Sequence, residues 1–246
     1  MIQNIPIFNL ALAFIPVVIA MAIMVKVSLK PGKALYALCR MLIQLLLIGY
    51  FLTYIFNAEG AGVIIAVLTV MVLASSWIAL GNVPQHRFAL YRSALLATLI
   101  GGGFTLALIT QLVLELKPWY WPQYMIPLAG MIFANAMNSV SLAAERLNAE
   151  LQRGVELVEA RHIALQAALI PITNSLFAVG LVSLPGMMTG QILSGVSPLI
   201  AVRYQIMVMC MTFASAVICA ALFLWLAKGV FEKIKNGKQK DGNSKA

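Results

Sequence analysis

Residues 62–80 read GVIIAVLTVMVLASSWIAL, nineteen residues without a charged side chain. Coiled as a helix, that stretch is about 28 Å long, close to the thickness of a bilayer's hydrocarbon core. The rest of the chain keeps this character. Of its 246 residues 62% are hydrophobic and 10% charged, and the mean hydropathy is +0.93. A soluble domain is nearer about 45–50% apolar. The chain therefore reads as an all-α, polytopic integral membrane protein with no room for a separate soluble catalytic domain.

Long apolar stretches mark about seven transmembrane helices, at residues 5–25, 35–56, 62–80, 93–114, 120–142, 165–193 and 204–227. Together they predict one transmembrane domain over 1–227. Fifteen of the seventeen lysines and arginines fall on one side of these spans, and only Lys117 and Arg203 on the other. Cytoplasmic loops retain positive charge, so the N-terminus is expected outside and the C-terminus in the cytoplasm, with Trp119, Tyr120 and Trp121 in an outer aromatic belt. The positive balance of +9 is thus assigned to topology and to the lipid bilayer, not to nucleic acid. Residues 1–9 carry no positive region before the first apolar run, so that span is expected to be retained. The lysine-rich segment 228–246 is expected to be a disordered cytoplasmic tail. Cys39, Cys210 and Cys219 have no paired spacing and are expected to be buried packing residues.

Residues 144–165, AERLNAELQRGVELVEARHIAL, hold four of the eight acidic residues. Leu147, Leu151, Val155 and Val158 form one apolar stripe among Glu145, Arg146, Glu150, Arg153, Glu156 and Glu159, which predicts a cytoplasmic amphipathic helix over about 144–164, weakened at Gly154. The pattern fits two roles equally: a solvated extension of the fifth span, or a docking surface for a soluble partner.

Catalytic chemistry is missing. There is no HExxH pair and no GxSxG turn, and the two histidines, His86 and His162, fall in connections. Ser75 and Ser76 lack a histidine at their depth and read as packing hydroxyls. GxxxxGK[ST] is absent, so the chain has no nucleotide site of its own, and Gly101, Gly102 and Gly103 read as a place where helices approach closely. Span interiors also lack the ionisable residues an ion-coupled carrier retains.

What the spans carry instead is neutral polar groups and helix breakers. Gln44 lies in the second span, Asn135, Asn138 and Ser139 in the fifth, and Asn174 in the sixth after Pro171. An amide in hydrocarbon needs a partner or water, so each faces either a neighbouring helix or an aqueous path. Pro185, Gly186 and Gly190 interrupt the sixth span, which predicts a broken helix of the kind found beside transport sites. Met187 and Met188 offer soft sulfur there, or ordinary packing.

The runs IPLAGMIFANAMNSVSL (126–142), AALIPITNSLFAVGLVSLPGMMTGQILSGVSP (167–198) and AVRYQIMV (201–208) resemble the iron-export ABC transporter permeases, the FetB-like family. RMLIQLLLIGYFL (40–52) carries the likeness into the first half. That family includes plant permeases linked to aluminium tolerance, some associated with export of a nucleotide sugar. The resemblance implies a permease of the bacterial plasma membrane, working as a homodimer with a separate cytoplasmic ATPase that holds ATP and magnesium. No cofactor is expected in this chain, and its metal-ligating residues are left open. The resemblance also gives the acidic segment a docking role, with Glu145, Arg146, Glu150, Arg153, Glu156 and Glu159 coupling ATP hydrolysis to the spans. Gln44, Asn135, Asn138, Ser139, Asn174, Pro185, Gly186, Met187 and Met188 become the candidate transport path. Family members have a further basic helix before the AALIP run. Here HIALQAALIP (162–171) follows almost at once.

Overall fold

The computed structural model describes residues 5–29, 31–56 and 60–232. Their regular structure is helical apart from a single bridge between Val179 and Ser183. The chain divides into two units, Met1–Glu59 and Gly60–Ala246. The first contains α1 (Ile7–Lys26) and α2 (Gly32–Phe56). Helix α1 is interrupted after Leu12 because Pro16 lacks an amide hydrogen and its ring crowds the carbonyl four residues earlier. Ile19, Ile23, Leu45, Leu46 and Phe51 are exposed. Such surfaces suit lipid or another polypeptide rather than water.

The second unit comprises α3 (Ala61–Ala79), α4 (Pro84–Val113), α5 (Pro122–Gln152), α6 (Leu157–Ala178), α7 (Gly186–Leu193) and α8 (Pro198–Leu226). Helix α5 is its hub, packing on α3, α4, α6 and α8. The contact faces are built from small side chains, among them Ala94, Ala97, Ala136, Ala143, Ala164, Ala216 and Ala220, all fully buried. Within a bilayer helices gain from close van der Waals approach, which small residues permit. A Cβ on Gly101 would lie 2.8 Å from Cys219 Sγ, and one on Gly102 2.9 Å from Phe133 Cε1. These two glycines seat α4 against α8 and α5, whereas Gly103 faces open space. Around them α4 widens into π-helical turns at Thr98–Gly102 and Ile109–Val113. Ser75 and Ser76 are satisfied within α3, both donating to the Val72 carbonyl, at 3.0 and 2.8 Å.

Several expectations are corrected. Among the described residues six helices, α1 to α5 and α8, are long and apolar enough to cross a membrane. The stretch 165–193 is not one span: α6 starts earlier, at Leu157, and ends at Ala178. Residues 144–164 are not one amphipathic helix. Helix α5 runs on to Gln152 and the chain reverses through residues 153–156 into α6. Gly154 adopts φ +85° there, a left-handed conformation that ends helices, and the Val155 amide closes the turn on the Glu150 carbonyl at 3.2 Å. The turn resets the stripe, so Leu157 is buried and Val158 is 68% exposed. The basic segment begins ordered: residues 228–232 continue as a helical turn with Phe231 fully buried. Residues 233–246 lie outside the described residues. Of the cysteines, Cys219 is buried, whereas Cys39 and Cys210 are exposed.

Candidate functional site

The break after α6 is made by the backbone. Gly180 and Gly195 adopt φ +85° and +93°, and Pro185, in extended conformation, starts α7. The Gly180 amide donates to the Ser183 carbonyl at 3.0 Å, so the freed peptide groups are partly satisfied within the loop. Between Gly186 and Leu193 the chain is helical for two turns only, too short to cross a bilayer. Gly195 closes that short helix, and the Val196 amide donates back to the Gln191 carbonyl at 3.0 Å.

Two cavities flank α7. One, of about 430 Å³, lies against α8 and is lined by Pro185, Met188, Gln205, Met209 and Cys210. The other, of about 300 Å³, reaches α5 and is lined by Tyr124, Met187, Gln191, Tyr204 and Met207. Adjacent methionines thus serve different cavities. Among the described residues the buried Oε1 atoms of Gln191 and Gln205 have no hydrogen-bond partner. A larger cavity of about 620 Å³ among α3, α4 and α5 is lined chiefly by hydrocarbon, including Leu68, Val72, Leu99 and Phe133.

The remaining candidate path residues are spread out. Asn135 Nδ2 donates to the Met131 carbonyl at 2.8 Å, one turn back in its own helix, and Ser139 is buried. Asn138 on α5, Asn174 on α6 and Gln44 on α2 are exposed, as is Gly186. The structure therefore gathers Pro185 and Met188 into one cavity and Met187 into its neighbour, and leaves Gln44, Asn138 and Asn174 on outer faces. Sequence reasoning missed Gln191, Gln205, Met207, Met209 and Cys210. A polar Gln205 followed four residues later by Met209 on one helix face was the available signal.

In the hairpin joining α5 to α6, the six charged candidates separate by burial. Glu150 is 4% exposed, and its Oε1 accepts from Arg146 Nη2 at 2.8 Å and from Arg153 Nη1 at 3.3 Å. Glu145, Arg153, Glu156 and Glu159 are exposed, with Arg146 between the two groups. Among the described residues no three His, Cys, Asp or Glu side chains come together as a metal-binding group.

A "UPF0014 membrane protein" of Synechocystis is 37% identical over 195 residues, covering 72% of this chain and 74% of that protein. The "Probable iron export permease protein FetB" of Escherichia coli is 34% identical over 240 residues, 91% of each. "Protein ALUMINUM SENSITIVE 3" of Arabidopsis thaliana is 34% identical over 213 residues, 79% of this chain and 76% of that one. No solved structure matches. The family described as "Uncharacterised protein family (UPF0014)" matches residues 7–162 and 160–231. Its two pieces meet where the acidic hairpin passes directly into the AALIP run, and between them they take in every helix from α1 to α8. By that match this chain belongs to the UPF0014 family.

Proposed function

We propose that this chain is the membrane permease subunit of an ABC-type exporter that moves a metal ion, iron being the cargo. A separate cytoplasmic ATPase supplies the energy, and the permease acts as a homodimer in a bacterial plasma membrane. The observation that carries this reading is the 34% identity to the E. coli iron export permease over 91% of both chains. The missing phosphate-binding loop supports a borrowed energy source. Helix α7 supports a conduit, since interrupted backbone at membrane depth is tolerated where it lines a cavity or packs in protein. The exposed carboxylates of Glu145, Glu156 and Glu159 supply a docking face.

The test is transport in proteoliposomes loaded with Fe(II). The chain alone should pass no iron, and the chain with its ATPase should export it only when ATP and magnesium are present. Flux without ATPase would favour a self-sufficient channel instead. ATP-driven flux of a nucleotide sugar but not of iron would keep the class and change the cargo.

A further inference from the structure

Gln205 is chemically unfinished. It is 6% exposed, and among the described residues its buried Oε1 has no hydrogen-bond partner. Such groups in native structures are ordinarily satisfied, so the cavity calls for a donor or a cation. Three sulfur-bearing side chains, Met188, Met209 and Cys210, line the same cavity. Gln205 and Met209 stand one turn apart on α8, with Cβ atoms about 5–6 Å apart. Cys210 is the next residue, and Met188 comes from α7. Methionine fills gaps in any core, but packing alone leaves Gln205 without a partner.

We propose that the cavity between α7 and α8 binds a soft monovalent metal ion of the Cu(I) type through the thioethers of Met188 and Met209 and the thiolate of Cys210, with Gln205 Oε1 facing it. Thioether and thiolate sulfur select Cu(I), whereas harder ions take carboxylate, carbonyl or water oxygen. Among the described residues no carboxylate or imidazole lines this cavity. Charge points the same way. One thiolate and one monovalent cation make a neutral pair, while a divalent ion with the same donors would keep a positive charge in a medium where bare charge is expensive. On binding, the Cys210 thiol releases its proton to solvent as the sulfur–metal bond forms. Across α7, Met187 and Met207 line the neighbouring cavity together with Gln191, whose Oε1 has no hydrogen-bond partner among the described residues. The proposal goes beyond the exporter reading, because the site forms within a single chain and needs no ATPase.

The test uses the full chain in detergent, under reducing and anaerobic conditions, with Cu(I) buffered by excess bathocuproine disulfonate so that a lone thiol cannot compete. One Cu(I) per chain is expected. Met188→Leu with Met209→Leu, and separately Cys210→Ser, should weaken binding by about 100-fold, the upper end of what losing even a supporting group around a metal does. Cys39→Ser removes an exposed thiol outside the cavity and should change nothing. A readout free of folding artefacts uses the unsubstituted protein: buffered Cu(I) should slow alkylation of Cys210 by membrane-permeant N-ethylmaleimide and leave Cys39 unaffected. The proposal fails if no Cu(I) is captured, if Cys210→Ser binds as well as the parent, or if equimolar Fe(II) displaces Cu(I). Cu(I) bound without any ATP-driven transport keeps the site and removes the exporter reading; ATP-driven transport without Cu(I) binding does the reverse.

Discussion

Arg146 Nη2 donates to Glu150 Oε1 at 2.8 Å, and the carboxylate that receives it is the one buried acid of the α5–α6 hairpin. With Arg153 on the same oxygen at 3.3 Å, Glu150 ties the last turns of α5 to the reversal that follows. Glu150→Ala should destabilise the chain by about 1–2 kcal/mol. That is the lower part of the range for charged hydrogen bonds, because both arginines are partly exposed. Thermal unfolding in detergent measures it, and a shift within error would assign Glu150 no structural role.

Glu156 and Glu159 occupy the other side of that division, exposed and without ion-pair partners among the described residues. Glu156→Lys with Glu159→Lys should lower stability by no more than about 1–2 kcal/mol, since both acids sit at the N-terminus of α6, where lysine opposes the helix dipole. The same pair should abolish co-purification with the ATPase and ATP-driven transport. Unaltered transport would remove the docking role. Glu150 is unsuited to this test, since reversing a buried charge disrupts folding before it reports on docking.

Gly154 and Gly101 are needed for different reasons, and alanine separates them. At Gly154 nothing lies within 4 Å of an added Cβ, but φ is +85°, so Gly154→Ala should cost about 1 kcal/mol through backbone strain alone and Gly154→Asn less. At Gly101 the backbone is helical and the obstacle is Cys219 Sγ at 2.8 Å and Ile218 Cγ2 at 2.9 Å. Gly101→Ala should cost about 1–3 kcal/mol by overpacking. Adding Cys219→Ala should recover part of that loss and none of the loss at Gly154. Gly103→Ala, with nothing within 4 Å, is the neutral control.

Apolar run length located α1, α2 and α3 to within three residues, because bilayer thickness sets helix length directly. It missed the start of α4 at Pro84 because Arg92 and Arg87, both inside the helix, interrupt the apolar run; the case of Arg87 shows how such a charge is accommodated. Its guanidinium is absorbed by α3, donating to the Trp77 carbonyl at 3.2 and 2.7 Å and stacking 3.9 Å from the Trp77 ring centre. Hydropathy cannot register a partner ten residues away. Gly154 looked like a weak point in a helix, since composition does not reveal that its φ is positive. That the stretch is broken was legible from Pro185 and Gly186, but these residues start α7, the break itself runs through residues 179–185, and Gly190 lies within α7. The cavities beside it were not, since Met188 and Gln205 meet only after the chain folds back between α7 and α8.

The amides of α5 divide as the carboxylates of the hairpin do. Asn135 spends its Nδ2 hydrogen on the Met131 carbonyl at 2.8 Å, while the exposed Asn138 side chain makes no hydrogen bond among the described residues. Counted from the turn at 153–156, Asn135 on α5 and Asn174 on α6 lie equally far away, about 29 Å at the helical rise, with Asn138 one turn nearer. An exposed amide at that depth suits a water-lined path or a second permease. Asn138→Leu should therefore leave unfolding unchanged within about 0.5 kcal/mol. On the exporter reading proposed above, ATP-driven efflux should fall about tenfold, the equivalent of one lost hydrogen bond worth about 1.4 kcal/mol. Asn135→Leu should instead depress stability and efflux together, because its amide belongs to the helix. Parallel measurement of efflux and unfolding on both variants separates the roles: equal loss of both quantities in Asn138→Leu would make that residue a packing group.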